Sequence, residues 1–108
     1  MPCYMHQFKY KDDGIAQMLR NGGVALDRRQ FVQAAAEVFR GRLLSFHYCF
    51  GEFDGVALTE FPNEASAFAC VAALFAQGRV QTIQTTQLIT SDDGMAAFKM
   101  ARDKIPRD

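Results

Sequence analysis

Cysteine is scarce and poorly placed for chemistry. Cys3, Cys49 and Cys70 are an odd set with no CxxC pair, so neither a disulfide framework nor a closed zinc site is encoded. Reduced thiols are expected, with Cys49 in a strand and Cys70 in a helix acting as small hydrophobes. An excess of one charge is also missing. The 12 basic and 12 acidic residues cancel, and no block of like charges appears, which argues against nucleic acid as a partner. No segment approaches the ~18 uninterrupted apolar residues of a membrane span, and Met1 to Tyr10 lacks the basic start and apolar core of a secretion signal. A soluble, cytoplasmic protein without a membrane partner is the expectation. Phosphate-binding glycine loops and nucleophile elbows are absent as well: Asn21-Gly22-Gly23 precedes a helix but lacks the wider fingerprint.

What is present is apolar material in regular patterns. At 108 residues and 49% hydrophobic composition, the chain fits one domain over residues 1–108. The stretch Leu43 to Pro62 carries two β-branched and aromatic runs around Gly51-Glu52, which predicts a β-hairpin with a two-residue turn. With Phe50 opposite Phe53, period-two alternation puts Leu44, Phe46, Tyr48, Phe53, Gly55, Ala57 and Phe61 on one side. Leu43, Ser45, His47, Cys49, Asp54, Val56, Leu58 and Glu60 fall on the other. Both sides hold apolar residues, so the sheet needs two covers. Asp54 is placed to accept hydrogen bonds from turn N–H groups.

The other elements follow in order. Cys3 to Tyr10 reads as the first strand, with Tyr4, His6, Phe8 and Tyr10 on one side, ending at Lys11-Asp12-Asp13-Gly14. Ile15 to Arg20 forms a short helix or turn closed by Asn21-Gly22-Gly23. Asp27 caps a helix over roughly 27–40, whose Phe31, Ala34/Ala35 and Val38 recur at helical spacing until Gly41 stops it. Arg28 and Arg29 are assigned to its solvated face.

After the hairpin, Asn63 caps a second helix closed by Gly78, with Glu64 at its positive end. Its body is apolar around most of its circumference, which predicts burial on more than one face with Phe68 and Phe75 in the core. Val80 to Thr90 alternates as a fourth strand whose Gln and Thr residues line a polar interior. Ser91-Asp92-Asp93 opens a last helix with Lys99, Arg102 and Lys104 toward its end. Its stripe of Met95, Phe98, Ala101 and Ile105 must dock on its own subunit or on a partner.

The order β-α-β-β-α-β plus a helix is the split arrangement of ferredoxin-like α+β domains. Right-handed crossovers put both main helices on one side of the sheet. The other side is too apolar for water, and a second copy packed sheet to sheet is the expected cover, giving a homodimer.

FGEFDG at Phe50–Gly55, the preceding LLSFHY, the following EFPNEASA, QTTQLITSDDGM at Gln84–Met95 and GIAQMLRNGG at Gly14–Gly23 together resemble the GYD domain family. The resemblance covers nearly the whole chain and implies the dimeric α+β barrel type of fold, with no settled biochemical role. This chain departs from the family pattern at three places. Phe53 stands where the name-giving motif has Tyr, His47 where relatives often show Tyr, and Arg40 where a second Gly is usual.

Candidate chemistry gathers at His47 with Cys49 and Asp54, joined by Tyr4 and His6 from the first strand. In the ferredoxin-like order His6 and His47 sit two strand spacings apart, about 9–10 Å, too far to share a metal whose ligands lie at about 2 Å. No metal site and no cofactor is predicted. Two functions from different classes fit. One is a homodimeric binding or interaction module holding a small apolar or aromatic ligand, with Tyr4, His6, Tyr48 and Asp54 as candidate ligand-binding residues. The other is a small cofactor-independent enzyme of monooxygenase or isomerase type, with His47 as general base. The second rests on fold analogy. A regulatory effector domain is disfavoured because no helix-turn-helix accompanies it.

Overall fold

The computed structural model describes residues 1–12, 16 and 28–106. The element expected over 15–20 (apart from residue 16), its Asn21-Gly22-Gly23 exit and the Asp27 cap lie outside the described residues. The elements run β1 (Cys3–Tyr10), α1 (Arg28–Val38), β2 (Arg42–Tyr48), β3 (Gly55–Glu60), α2 (Glu64–Ala76), β4 (Val80–Leu88) and α3 (Ser91–Lys104). The sheet order is β2-β3-β1-β4 and every neighbouring pair is antiparallel. This is the ferredoxin-like α+β arrangement expected from the element order.

One face of the sheet is covered by α1 and α2. Tyr4, Phe8 and Tyr10 of β1 and Ala57 of β3 join Val32 and Ala36 of α1 and Ala67, Cys70 and Leu74 of α2 in a single buried core. Phe61, fully buried just past β3, closes one end. Along β1, Tyr4, His6, Phe8 and Tyr10 form a ladder of rings with centroids 6.3–6.4 Å apart, the spacing that period-two alternation gives to successive side chains on one face.

The hairpin register agrees with expectation near the turn, with Tyr48 opposite Gly55 and Phe46 opposite Ala57. Regular strand stops at Tyr48 and resumes at Gly55, so the connection spans Cys49 to Asp54 instead of two residues, with one further bond from the Cys49 N–H to the Asp54 carbonyl (2.8 Å). A register shift between Leu43 and Ser45 exchanges the expected faces there. Leu43 packs on the core, and Leu44 turns to the open face, 44% exposed. A bulge adds one residue to one strand only, and that reverses the alternation beyond it.

Helix ends reflect local chemistry. At α2 the Asn63 carboxamide oxygen accepts from the Ser66 N–H (2.8 Å), and Gly78, at φ 78°, follows the last turn in the left-handed conformation that glycine adopts without penalty. At α1 the Gly41 N–H donates to the Ala36 carbonyl and the Arg40 N–H to the Glu37 carbonyl, a Schellman pattern. The left-handed residue there is Arg40, at φ 64°. Gly41 is required for a different reason, because a Cβ on it would collide with the ring of Phe61.

Three expectations about burial are corrected. Helix α2 buries one stripe, Ala67, Cys70 and Leu74, while Phe68 and Phe75 are 77% and 50% exposed; the helix packs on the sheet and on α1, with no further layer above it among the described residues. On α1 Phe31 and Ala35 pack against the core as expected, but the fully buried stripe is Arg28, Val32 and Ala36, and Val38 is exposed. Cys49, just beyond β2, is exposed and does not act as a core hydrophobe.

Helix α3 is capped by Thr90, whose hydroxyl accepts from the Asp93 N–H (3.1 Å), with Asp92 and Asp93 in the first turn and Arg102 and Lys104 in the last. None of its residues is buried, and Met95, Phe98 and Ile105 are 62–69% exposed. It projects from the sheet. The radius of gyration is 17.1 Å, against ~13 Å for a compact chain of this length.

Candidate functional site

The covered face opens into a cleft between α2 and β4. Its volume is about 460 Å³, and Tyr4, Glu64, Ala67, Phe68, Val71, Ile83, Thr85 and Gln87 line it. Three elements build it. The antiparallel register sets Tyr4 opposite Gln87 and His6 opposite Thr85, so alternate residues of β4 face the same way as the β1 ladder, while the first turns of α2 supply the opposite wall.

The Tyr4 hydroxyl is buried without a hydrogen-bond partner among the described residues, and burial, with the Glu64 carboxylate adding to it, raises its pKa. Unpaired buried hydroxyls are rare because each forfeits the bond it would make to water. Behind the wall, His6 is 2% exposed and lies between two threonines, Nε2 at 2.7 Å from Thr59 Oγ1 and Nδ1 at 2.9 Å from Thr85 Oγ1. Burial pushes the His6 pKa down to about 4, so the ring is neutral at neutral pH.

A second cluster lies at the far end of β1. Arg28 is 4% exposed, which overturns its assignment to a solvated face. Its guanidinium stands 5.4 Å from the centroid of the Tyr10 ring, a cation–π arrangement, and its backbone N–H donates to the Tyr48 hydroxyl (3.3 Å). Burial raises the pKa of Tyr10 and lowers that of Arg28, the direction desolvation imposes on an acid and on a base.

The candidate residues named from the sequence therefore separate. Tyr4 and His6 belong to the cleft region. Tyr48 sits on the same face but at the Arg28 end. His47, opposite Val56, is exposed on the other face of the sheet and lines neither the cleft nor the groove on that face. The expected gathering of His47 with Tyr4 and His6 is thus corrected: adjacent strand residues alternate sides, and the hairpin register sends His47 the other way. Asp54 accepts from the Tyr10 N–H at 2.9 Å, and its own N–H donates to the Phe8 carbonyl at 2.8 Å. It ties the end of β1 to β3, where a turn-capping role was expected. Among the described residues no group of histidine, cysteine and acidic side chains could hold a metal ion.

Reasoning on the chain alone missed Thr59, Thr85, Gln87 and Glu64 as partners of Tyr4 and His6. The signal was the alternation of Gln and Thr along β4, which pointed to a polar interior without naming its partner strand. The open face carries Met5, Val56, Leu58 and Leu88, and a groove of about 590 Å³ runs between it and the start of α3, lined among others by Cys3, Leu44, Leu58, Leu88 and Ile89.

The topology and cleft define a ferredoxin-like α+β protein with a small, mostly apolar pocket on the helix-covered side of its sheet. The GYD domain profile matches residues 4–98, and the chain belongs to the GYD domain family. No curated protein matches. Among solved structures, the protein At3g17210 from Arabidopsis thaliana, known from ensemble refinement of its crystal structure, is similar at 10% identity with a TM-score of 0.46, over 84% of this chain and 96% of that one. No helix among the described residues is long and apolar enough to cross a membrane.

Proposed function

We propose that this protein is a homodimeric module that binds a small, largely apolar ligand in the cleft between α2 and β4. The observation that carries the reading is the Tyr4 hydroxyl, buried at the cleft wall with no partner of its own among the described residues. A pocket of several hundred Å³, lined mainly by apolar side chains with a few convergent polar groups, is the usual form of a small-molecule site. The homodimer is supported by two surfaces that no described residue covers, the apolar open face with its groove and the stripe on α3. A second copy supplies both with matching apolar area, and a twofold arrangement buries each patch twice.

The test is a fragment screen followed by protein-observed NMR, with sedimentation run in parallel. Compounds that bind are expected to shift the amides of Tyr4, Ile83, Thr85 and Gln87, and the apo protein is expected to sediment as a dimer. A screen whose hits all map elsewhere defeats the ligand-binding reading. A monomer at every concentration defeats the dimer.

A further inference from the structure

The two edges of the sheet are guarded differently. At the β2 edge, Arg42 opens the strand, the register shifts between Leu43 and Ser45, and His47 stands exposed. Charge and irregularity of this kind keep an edge from pairing with another chain. The opposite edge is β4, VQTIQTTQL, which carries no charge and no proline, and all of its residues but Val80 and Ile83 are exposed. Among the described residues no strand pairs with its outer side.

Hydrogen bonds within the sheet show which groups that edge presents. The Phe61 N–H donates to the Pro2 carbonyl (3.1 Å) and the Asp54 N–H to the Phe8 carbonyl (2.8 Å), so the even-numbered residues along β1 bond toward β3. Alternation turns Cys3, Met5, Gln7 and Lys9 toward β4, where they face Leu88, Thr86, Gln84 and Thr82. The backbone N–H and C=O groups of Ile83, Thr85 and Gln87, which lie in between, therefore point outward. The irregularity between Lys9 and Tyr10 confines the regular part of β4 to Thr82–Leu88, and Thr85 is its centre.

We infer that β4 pairs antiparallel with β4 of a second copy about a twofold axis at Thr85. Ile83 then faces Gln87 of the partner subunit, Thr85 faces Thr85 of the partner subunit, and each such pair exchanges two N–H···O bonds. This register uses the whole regular strand. Sliding it one way runs into the irregular start of β4, and the other way onto Ile89, past the strand's end. A twofold also sets side chains near the axis against their own copies, where like charges would repel, and Thr82–Leu88 has none. The axis runs normal to the sheet, so both covered faces lie on one side. Because Ile83, Thr85 and Gln87 line the cleft, the clefts of the two copies meet at the joint, and each gains β4 of the partner as a further wall. The pairing does not depend on the ligand. It leaves the open face and α3 to the dimer proposed above, whose axis lies between the sheets and perpendicular to this one, as a dihedral tetramer requires. A joint made along one short strand buries less than the ~800 Å² per partner of a standard interface, so it forms at higher protein concentration than the face-to-face dimer.

The test is an isotope-filtered NOE spectrum of an equal mixture of labelled and unlabelled full chain at high concentration. The proposed register sets Gln84 opposite Thr86 of the partner subunit, a non-hydrogen-bonded pair whose Cα atoms approach to about 4.5 Å, and a cross-peak between their α protons is expected. Gln87→Pro removes an outward donor at a place where an edge strand tolerates proline. It is expected to keep its urea midpoint and, with two bonds lost by symmetry, to weaken the concentration-dependent step in sedimentation at least ~10-fold. Gln87→Ala is expected to change that step less than about threefold, because the backbone donor stays. Cross-peaks confined to open-face residues such as Met5 and Leu58 overturn the edge pairing and leave the proposed dimer standing, as does a folded Gln87→Pro chain that assembles like the natural one. Should Gln87→Pro fail to fold, the cross-peak on the natural chain decides by itself. Cross-peaks from β4 alone keep the pairing and remove the open-face dimer. A chain monomeric at every concentration ends both.

Discussion

The two faces of the sheet are made by alternate residues of the same strands, yet they are built for different neighbours. On the covered face, Tyr4, His6, Phe8 and Tyr10 are all buried, and the one imidazole among them has both nitrogens occupied. On the open face, the residues in between, such as Met5 and Leu58, are only partly shielded, and His47 stands exposed. Identical backbone geometry supports both. The difference lies in what packs against each, because a strand shows its two sides to whatever its neighbours bring. On the covered face water is shut out, so a polar group there either finds a protein partner, as His6 does, or is left without one, as the Tyr4 hydroxyl is among the described residues, whereas on the open face water reaches it.

Substitutions that treat the faces unequally sharpen this contrast. Phe8→Ala, at a site 2% exposed beneath both helices, is expected to cost about 3–5 kcal/mol in urea denaturation, from lost burial plus the cavity left behind. A cost below about 1 kcal/mol would mean that the covered face is not the main core. Acid gives the next effect. His6 titrates near 6.5 in the unfolded chain and near 4 in the folded one, so on acidification the unfolded chain takes up a proton that the native state refuses. Stability is fully present above the unfolded value and falls as pH drops from 6.5 toward 4, by about 3 kcal/mol in all. His6→Gln is expected to flatten that slope in a series of denaturation curves across the interval.

In the proposed dimer, the open face is expected to respond in assembly more than in folding. Leu58→Lys is expected to change monomer stability by less than about 0.5 kcal/mol, as surface substitutions do. It should raise the dimer dissociation constant at least ~30-fold, since a lysine would be buried against the partner. Sedimentation across a dilution series measures this, and an unchanged constant would remove the open face from the interface. The smallest effect tests a site between the faces. Arg40 holds φ 64°, a conformation that costs an ordinary residue about 1–2 kcal/mol. Arg40→Gly relieves that but loses more entropy on folding, leaving a net gain of about 0.5–1 kcal/mol in thermal or urea unfolding. A loss of stability instead would show that the Arg40 side chain contributes more than its backbone costs.

Much of the fold was legible in the chain. Strand and helix periods, the Asn63 cap and the acids opening α3 all declare themselves within a few residues, because backbone hydrogen bonding and side-chain direction are local. The β1 ladder was readable for the same reason. The candidate site was less legible. Tyr4 and His6 could be placed on one side of a strand, but Thr59 and Thr85 lie 53 and 79 residues from His6, and no short-range pattern pairs them. Arg28 looked like a surface residue because its neighbours in sequence are polar, and its burial depends on Tyr10 and Tyr48 arriving from elsewhere.

The kinds of element, their order and the side on which each strand residue starts out were written into periodicity and turn chemistry, which act over one or two turns of chain. Packing settled the rest: a single bulge exchanged Leu43 with Leu44, α2 turned Ala67, Cys70 and Leu74 to the core and Phe68 outward, and two distant threonines closed on one imidazole. Burial is a property of the space around a side chain, and that space exists only once distant segments have come together.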